Sequence, residues 1–281
     1  MALRRQIIPW RAAGTRAEMR RNADEVVRDT GWVFNNQTGA SLTLEEFVQT
    51  GDAEVEIYLD RFNWVDIAPQ SSVLEIGSGI GRMTAALSRR FDSTVATDVD
   101  AAFLERCRET VSRFGKISAL RTVHIADGSS INMPDNSVDV VFSYITLQHC
   151  KASDALRLTT EALRVVKPGG YIALNYRTWV PADIILVPAG AVMRWLWRIP
   201  VAGQRLSQWR WSTRLGWQAN RLDPRRVLAL LEASNIGLTD AAILHHPGRP
   251  QRSVSLAGQT VRQRDLDVAN KSHWWLVAQA H

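Results

Sequence analysis

The chain has 281 residues and a mass of 31.5 kDa, room for one large domain or one domain with a substantial insertion. Hydrophobic residues at 46% and charged residues at 22% are those of a soluble globular protein and exclude a disordered or fibrous chain. The net charge of +6 and pI near 9.8 come from arginines scattered along the chain, which points to a solvated surface rather than a nucleic-acid groove. Cys107 and Cys150 lie far apart and form no CxxC pair. Neither a disulfide framework nor a zinc site is indicated, and a reducing, cytoplasmic setting is expected. No apolar run reaches the roughly 20 residues that span a bilayer, and residues 1–21 are basic without the apolar core of a signal peptide.

In chain order, residues 1–70 predict a polar, N-terminal helical cap. From Leu42 an amphipathic pattern runs through Phe47, Val55, Ile57, Leu59, Phe62 and Val65, with Thr43 as N-cap and Glu46 three residues on. After Pro69, residues 71–281 predict one α/β domain. Strands are expected at 72–76, 94–98, 120–126, 138–144 and 171–176, with helices at 82–91, 101–114 and 153–166. The last helix stops at Lys167-Pro168-Gly169-Gly170. Residues 178–220 break the pattern as an insertion, with an apolar run interrupted by Pro188 and Gly190 and then a basic stretch. Of the 11 tryptophans, Trp179, Trp195, Trp197, Trp209, Trp211, Trp217, Trp274 and Trp275 all follow residue 177. A helix at 223–234 and closing strands at 239–245 and 273–278 follow, separated by a polar loop at 247–271. The expectation is a Rossmann-like, seven-stranded, mostly parallel sheet with helices on both faces.

The chemistry concentrates where the first strand turns into a helix, at Glu75-Ile-Gly77-Ser78-Gly79-Ile-Gly81-Arg82. Glycines there let the backbone turn tightly and let a ligand approach the N–H groups. Arginine at position 82, where a dinucleotide fingerprint requires a small residue, argues against NAD or FAD. Asp98 ends the second strand, where a carboxylate can accept from both ribose hydroxyls of a nucleoside. Asp100 suits the N-cap of the next helix, and Asp127-Gly128-Ser129 follows the third strand.

Together these segments resemble the class I methyltransferases that use S-adenosylmethionine (SAM). VLEIGSGIGRMTAALSRRF, TDVD, ADGSSINMPDNSVDVVFSY and LRVVKPGGYIAL are similar to successive motifs of that family, continuously over about residues 72–177. FVQTGDAEVEIYLDRF, together with Leu147-Gln148-His149, extends the similarity upstream to about residue 44. The resemblance implies that Glu75, Gly77 and Gly79, with Ser78 and Gly81, hold the methionine part of the cofactor. It places Asp98 on the ribose, Val99 against the adenine, and Asp127, beside Gly128, on the adenine amino group. Tyr144 at the end of the fourth strand is expected on the cofactor as well.

His149, just beyond that strand, is the candidate general base, since an alcohol needs help to become a nucleophile and imidazole titrates near neutrality. Capping or packing is its competing use. Tyr176, Arg177, Trp179 and Trp217 are the candidate acceptor contacts, with 178–220 as a substrate lid. The expected reaction is O-methylation of a hydroxyl on a sugar, glycolipid or natural product. The alternatives are C-methylation of a membrane-associated quinone or lipid, and a non-catalytic SAM-binding subunit. A divalent ion such as Mg stays open, with no ligand spacing to place it. Nucleic-acid acceptors are disfavoured, because Ser143-Tyr144-Ile145-Thr146 stands where an (Asn/Asp)-Pro-Pro-aromatic motif would be. The oligomeric state is undetermined. Trp and Arg in 178–220 also leave room for peripheral membrane contact, against the plainer reading that the aromatics fill a small core.

Overall fold

A computed structural model of the protein describes residues 22–34, 42–199, 201–207, 209–217, 220–234, 237–248, 253–256, 259–268 and 271–281. Residues 1–21 and 35–41 of the expected cap lie outside the described residues. Two compact units divide the chain, residues 1–47 with 180–219, and residues 48–179 with 220–281. The boundary between Phe47 and Val48 falls within one helix.

The larger unit is built on an eight-stranded sheet, β1 (Ser72–Ile76), β2 (Ser93–Asp98), β3 (Leu120–His124), β4 (Val138–Ser143), β5 (Val166–Arg177), β6 (Leu238–His245), β9 (Arg262–Asp265) and β10 (His273–Ala280). The order across it is β3-β2-β1-β4-β5-β10-β6-β9. The first five strands are parallel, β10 is antiparallel to β5 and β6, and β9 adds parallel to β6. The expected seven-stranded sheet thus gains an eighth strand inside the segment read as a polar loop. Arg262-Gln263-Arg264-Asp265 carries no apolar residue, as suits a short edge strand facing solvent, so hydrophobic periodicity cannot detect it. The remaining β7 (Ser255–Leu256) and β8 (Gln259–Thr260) form a small separate ribbon.

Because successive strand residues point to opposite faces, β1 feeds two cores. Leu74 and Ile76 join Leu174, Leu276 and Trp274 with α5 (Ala152–Val165) and α9 (Pro224–Ala233) on one face. Val73 joins Phe142, Ala173 and Trp275 with α2 (Leu44–Arg61) and α3 (Thr84–Arg90) on the other. Helices therefore cover both faces. The expected cap at Thr43 forms fully, with Thr43 Oγ1 accepting from Glu46 N at 3.2 Å and Thr43 N donating back to Glu46 Oε2 at 2.8 Å. α4 (Ala101–Phe114) begins at Asp100, whose carboxylate accepts from Ala102 N.

The Lys167–Gly170 turn ends α5 as expected, yet β5 already begins at Val166. Gly169, at φ +79°, lies within a shift of register between Val138 and Val140 of the partner strand. A Cβ on Gly170 would fall 2.6 Å from Asp139 O, so glycine allows the strands to close there.

In the smaller unit, α1 (Ala23–Phe34) and the start of α2 group with α6 (Asp183–Leu196), α7 (Ala202–Ser207) and α8 (Arg210–Trp217). The last three pack on one another. Pro188 and Gly190 were expected to break the apolar run, but α6 continues through both. The carbonyl of exposed Ile184, which Pro188 cannot serve with an N–H, can bond water instead. Gly190 leaves room for α8, since a Cβ there would sit 2.5 Å from Leu215 O.

Trp275 anchors the second core. It is fully buried, stacked on Tyr144 (centroids 5.5 Å, 8° between planes) and 4.7 Å from the Tyr58 ring. Trp275→Ala should lower stability by about 3–5 kcal/mol in urea unfolding; a loss below about 1 kcal/mol would contradict this packing role.

Candidate active site

The sheet extends from β1 on both sides, through β2 and β3 on one and, after the chain crosses back from β3, through β4 and β5 on the other. At such a switch point the loops after the carboxyl ends of β1 and β4 diverge and open a crevice. The glycine loop lies there. Gly77 N and Ser78 N both donate to Thr97 O, at 2.8 and 2.9 Å, so the loop turns over the end of β2. Gly77, Gly79 and Gly81 have φ values of +82°, +55° and +93°, a region that L side chains rarely enter.

Asp98 closes the arrangement. Its Oδ2 accepts from Gly79 N and its Oδ1 from Asp100 N, both at 2.9 Å. Burial nevertheless outweighs these bonds and raises its carboxyl to about 6. Each carboxylate oxygen offers two lone-pair sites, and the backbone of Val99 donates as well, so acceptor capacity remains for a hydroxyl donor. This is the chemistry a nucleoside ribose supplies, and the residues present fit it. Glu75, buried below the loop, accepts from Thr84 Oγ1 at 2.6 Å, and burial pushes it up to about 7. A Cβ on Gly81 would stand 3.1 Å from Cys107 Cα and Sγ, so this glycine lets the loop pack on α4.

The loop after β4 forms the opposing wall. A Cβ on Gly77 would fall 2.1 Å from Cγ2 of Thr146, whose Oγ1 lies 3.3 Å from Gly77 O. Ile145 takes φ +53°, and its N–H donates to Asn175 Oδ1 at 3.3 Å. The following 3-10 turn, Leu147–His149, is clamped by Asn220, whose amide donates to Leu147 O at 2.6 Å and Cys150 O at 2.8 Å. Half-buried His149 places Nε2 3.2 Å from Gln148 Nε2; there the amide donates and the ring accepts, leaving the neutral ring's proton on Nδ1. Thr146, Gln148, Asn175 and Asn220 were not singled out from the sequence. Nothing local marks the two asparagines, because the partners of their side chains lie 30 to 99 residues away.

The other expected residues separate. Val99 follows Asp98, and its carbonyl lies 3.2 Å from His124 Nε2. Gly128, at φ +73°, turns the loop after β3. Asp127, expected on adenine, gives Oδ1 to Ser129 N and Ser130 N and one position of Oδ2 to Ser130 Oγ. Burial raises this acid, but those bonds together hold it below the usual carboxylate range. Tyr144 is packed between Tyr58 and Trp275, and burial lifts its phenol to about 12. Tyr176, expected on the acceptor, is committed to the core, stacked on Trp274 with its hydroxyl 2.7 Å from Thr159 Oγ1. Arg177 ends β5 opposite His273, whose imidazole is lowered to about 4 by burial and by the charges of Arg177 and Arg221. Trp179 is exposed, and the side chain of Trp217 lies outside the described residues. Among the described residues no group of three or more His, Cys, Asp or Glu could hold a metal ion.

A parallel α/β sheet with a glycine loop and a strand-end acid at its switch point defines a nucleoside-binding Rossmann-like domain. Residues 74–174 match the family described as methyltransferase domain. The chain is similar to malonyl-[acyl-carrier protein] O-methyltransferase of Marinomonas sp., at 33% identity over 107 residues, 37% of this chain and 37% of that protein. It is also similar to 2-methyl-6-phytyl-1,4-hydroquinone methyltransferase of Synechocystis sp., at 31% over 143 residues, 51% and 41% of the two proteins. The matches thus span about two fifths of these relatives' length. The magnesium protoporphyrin IX methyltransferase structure from Synechocystis, solved with bound SAH, shares the fold at a TM-score of 0.51 and 11% identity, over 92% of this chain and 98% of that one.

Gly77→Ala should weaken S-adenosylhomocysteine binding by at least about tenfold in calorimetry, through strain at positive φ and collision with Thr146. Adding Thr146→Gly should restore only part of the loss; full restoration would show that φ does not matter there. Asp98 and Glu75 hold protons more tightly folded than unfolded, so their ionisation lowers stability as pH rises from 3.8 to about 6 and from 4.5 to about 7. His273 acts oppositely between about 4 and 6.5, so the difference between variant and parent is the readout. Melting of cofactor-free Asp98→Asn and Glu75→Gln should gain on the parent across those windows, and a constant difference would contradict the assigned shifts.

Proposed function

We propose that this chain transfers the methyl group of SAM to a hydroxyl oxygen of a sugar, glycolipid or natural product, with His149 as general base. The observation that carries this reading is the contact of Thr146 with Gly77, which registers the turn bearing His149 on the glycine loop. When bound, SAM supplies a methyl on a sulfonium, whose displacement by the acceptor oxygen leaves the electron pair on sulfur. Asp98 accepts from the ribose hydroxyls, and the glycine loop leaves room for the methionine part. The lone pair on His149 Nε2, held by Gln148 until an acceptor arrives, takes the hydroxyl proton and passes it to solvent. Alignment and proton removal are the tasks the chain must perform in such an in-line displacement.

C-methylation of a quinone or lipid is the second reading, favoured by the similarity to a hydroquinone methyltransferase. Labelled SAM offered with glycoside, glycolipid, phenol and hydroquinone acceptors separates the two. For a hydroxyl acceptor, His149→Ala should lower kcat by about 10²–10⁴ without changing SAM affinity, and should erase the acid limb of the pH profile. Unchanged turnover would remove the base assignment, and no turnover on any acceptor would favour a SAM-binding subunit.

A further inference from the structure

Helix α6 shows solvent an apolar face. At 100° per residue, Ile184, Ile185, Pro188, Val192 and Trp195 fall within an arc of roughly 100°. Ile184, Ile185 and Trp195 are 74%, 73% and 60% exposed. The opposite side is buried through Asp183, Gly190 and Met193. This inverts the usual pattern, in which the outward side of a surface helix is polar, and the stripe extends over roughly 16 Å of helix. Ile199 and Val201, past the helix end, are exposed as well.

Charge accompanies the stripe. Residues 180–219 contain five arginines (194, 198, 205, 210 and 214) and one acidic residue, a net +4. That acid, Asp183, is fully buried and accepts from Val180 N at 3.0 Å. Arg198 and Arg205 are exposed. The tryptophans divide in two. Trp197 donates from Nε1 to Ser212 Oγ at 2.9 Å and covers Gly216, whereas Trp209 and Trp211 are both 53% exposed with rings 5.8 Å apart. Tryptophans with an apolar body and a polar N–H favour the boundary between acyl chains and headgroups. Among the described residues no helix is long and apolar enough to cross a membrane.

We propose that this face docks on an anionic membrane surface, with α6 lying in the interfacial plane, its apolar stripe inserted and Arg198 and Arg205 on the headgroup phosphates. The proposal goes beyond the acceptor reading and stands whichever atom receives the methyl group. Flotation of the full chain with phosphatidylcholine vesicles, with and without phosphatidylglycerol, tests it. The protein should float with the anionic vesicles and much less with the neutral ones. Ile185→Glu with Trp195→Glu should reduce partition at least about tenfold, and Arg198→Gln and Arg205→Gln about fivefold each, on anionic vesicles only. These side chains are exposed, so melting temperature and S-adenosylhomocysteine binding should stay at parent values. Failure to float with anionic vesicles, or flotation insensitive to the Ile185 and Trp195 changes, overturns the proposal. A dimer in light scattering that the Trp195 change splits, without flotation of the parent, assigns the face to a second copy instead.

Discussion

The tie between the Asp98 carboxylate and the Gly79 amide is the constraint on which the candidate site rests. Parallel pairing of β1 with β2, Ile76 opposite Thr97, brings the end of one strand beside the end of the next. The loop then bonds across that gap, through Thr97 O and through Asp98. An acid buried this deeply is costly unless bonded. Backbone donors from Gly79, Val99 and Asp100 offset part of that cost, and burial still raises the pKa. Such a site is shaped before its nucleoside arrives, so less ordering entropy is lost on binding.

The second wall obeys a different rule. The turn after β4 gains its position from groups distant in sequence, the amides of Asn175 and Asn220 and the missing side chain of Gly77. Ile145 holds a left-handed conformation within it, which persists only where surrounding bonds over-determine the backbone. The aromatic cluster of Tyr58, Tyr144 and Trp275 backs this wall and joins α2 to the sheet. Tyr144 thus stands at the site's edge and in the core together.

Tryptophan content alone did not disclose how the residues are used. Trp274 and Trp275 sit side by side on β10, so pleating sends one to each core, while Trp197 closes on Gly216 in the helical unit. Trp195, Trp209 and Trp211 remain on the surface among arginines. Tyr176 shows the same ambiguity from the other side. A tyrosine at a strand end reads as a rim residue, yet its strand parity directs it inward to Thr159.

By itself the sequence determined the alternation of strands and helices, the glycine loop, the acid at the end of β2 and the caps at Thr43 and Asp100. All of these are local: side-chain periodicity, backbone freedom at glycine and short-range hydrogen bonds decide them within a few residues. Tertiary structure alone decided the edge strand Arg262–Asp265, the passage of α6 through Pro188, the inward turn of Tyr176 and the clamp of Asn220 on the His149 turn. Each depends on a partner remote in the chain or on which face meets water, and no pattern within a short window carries that information.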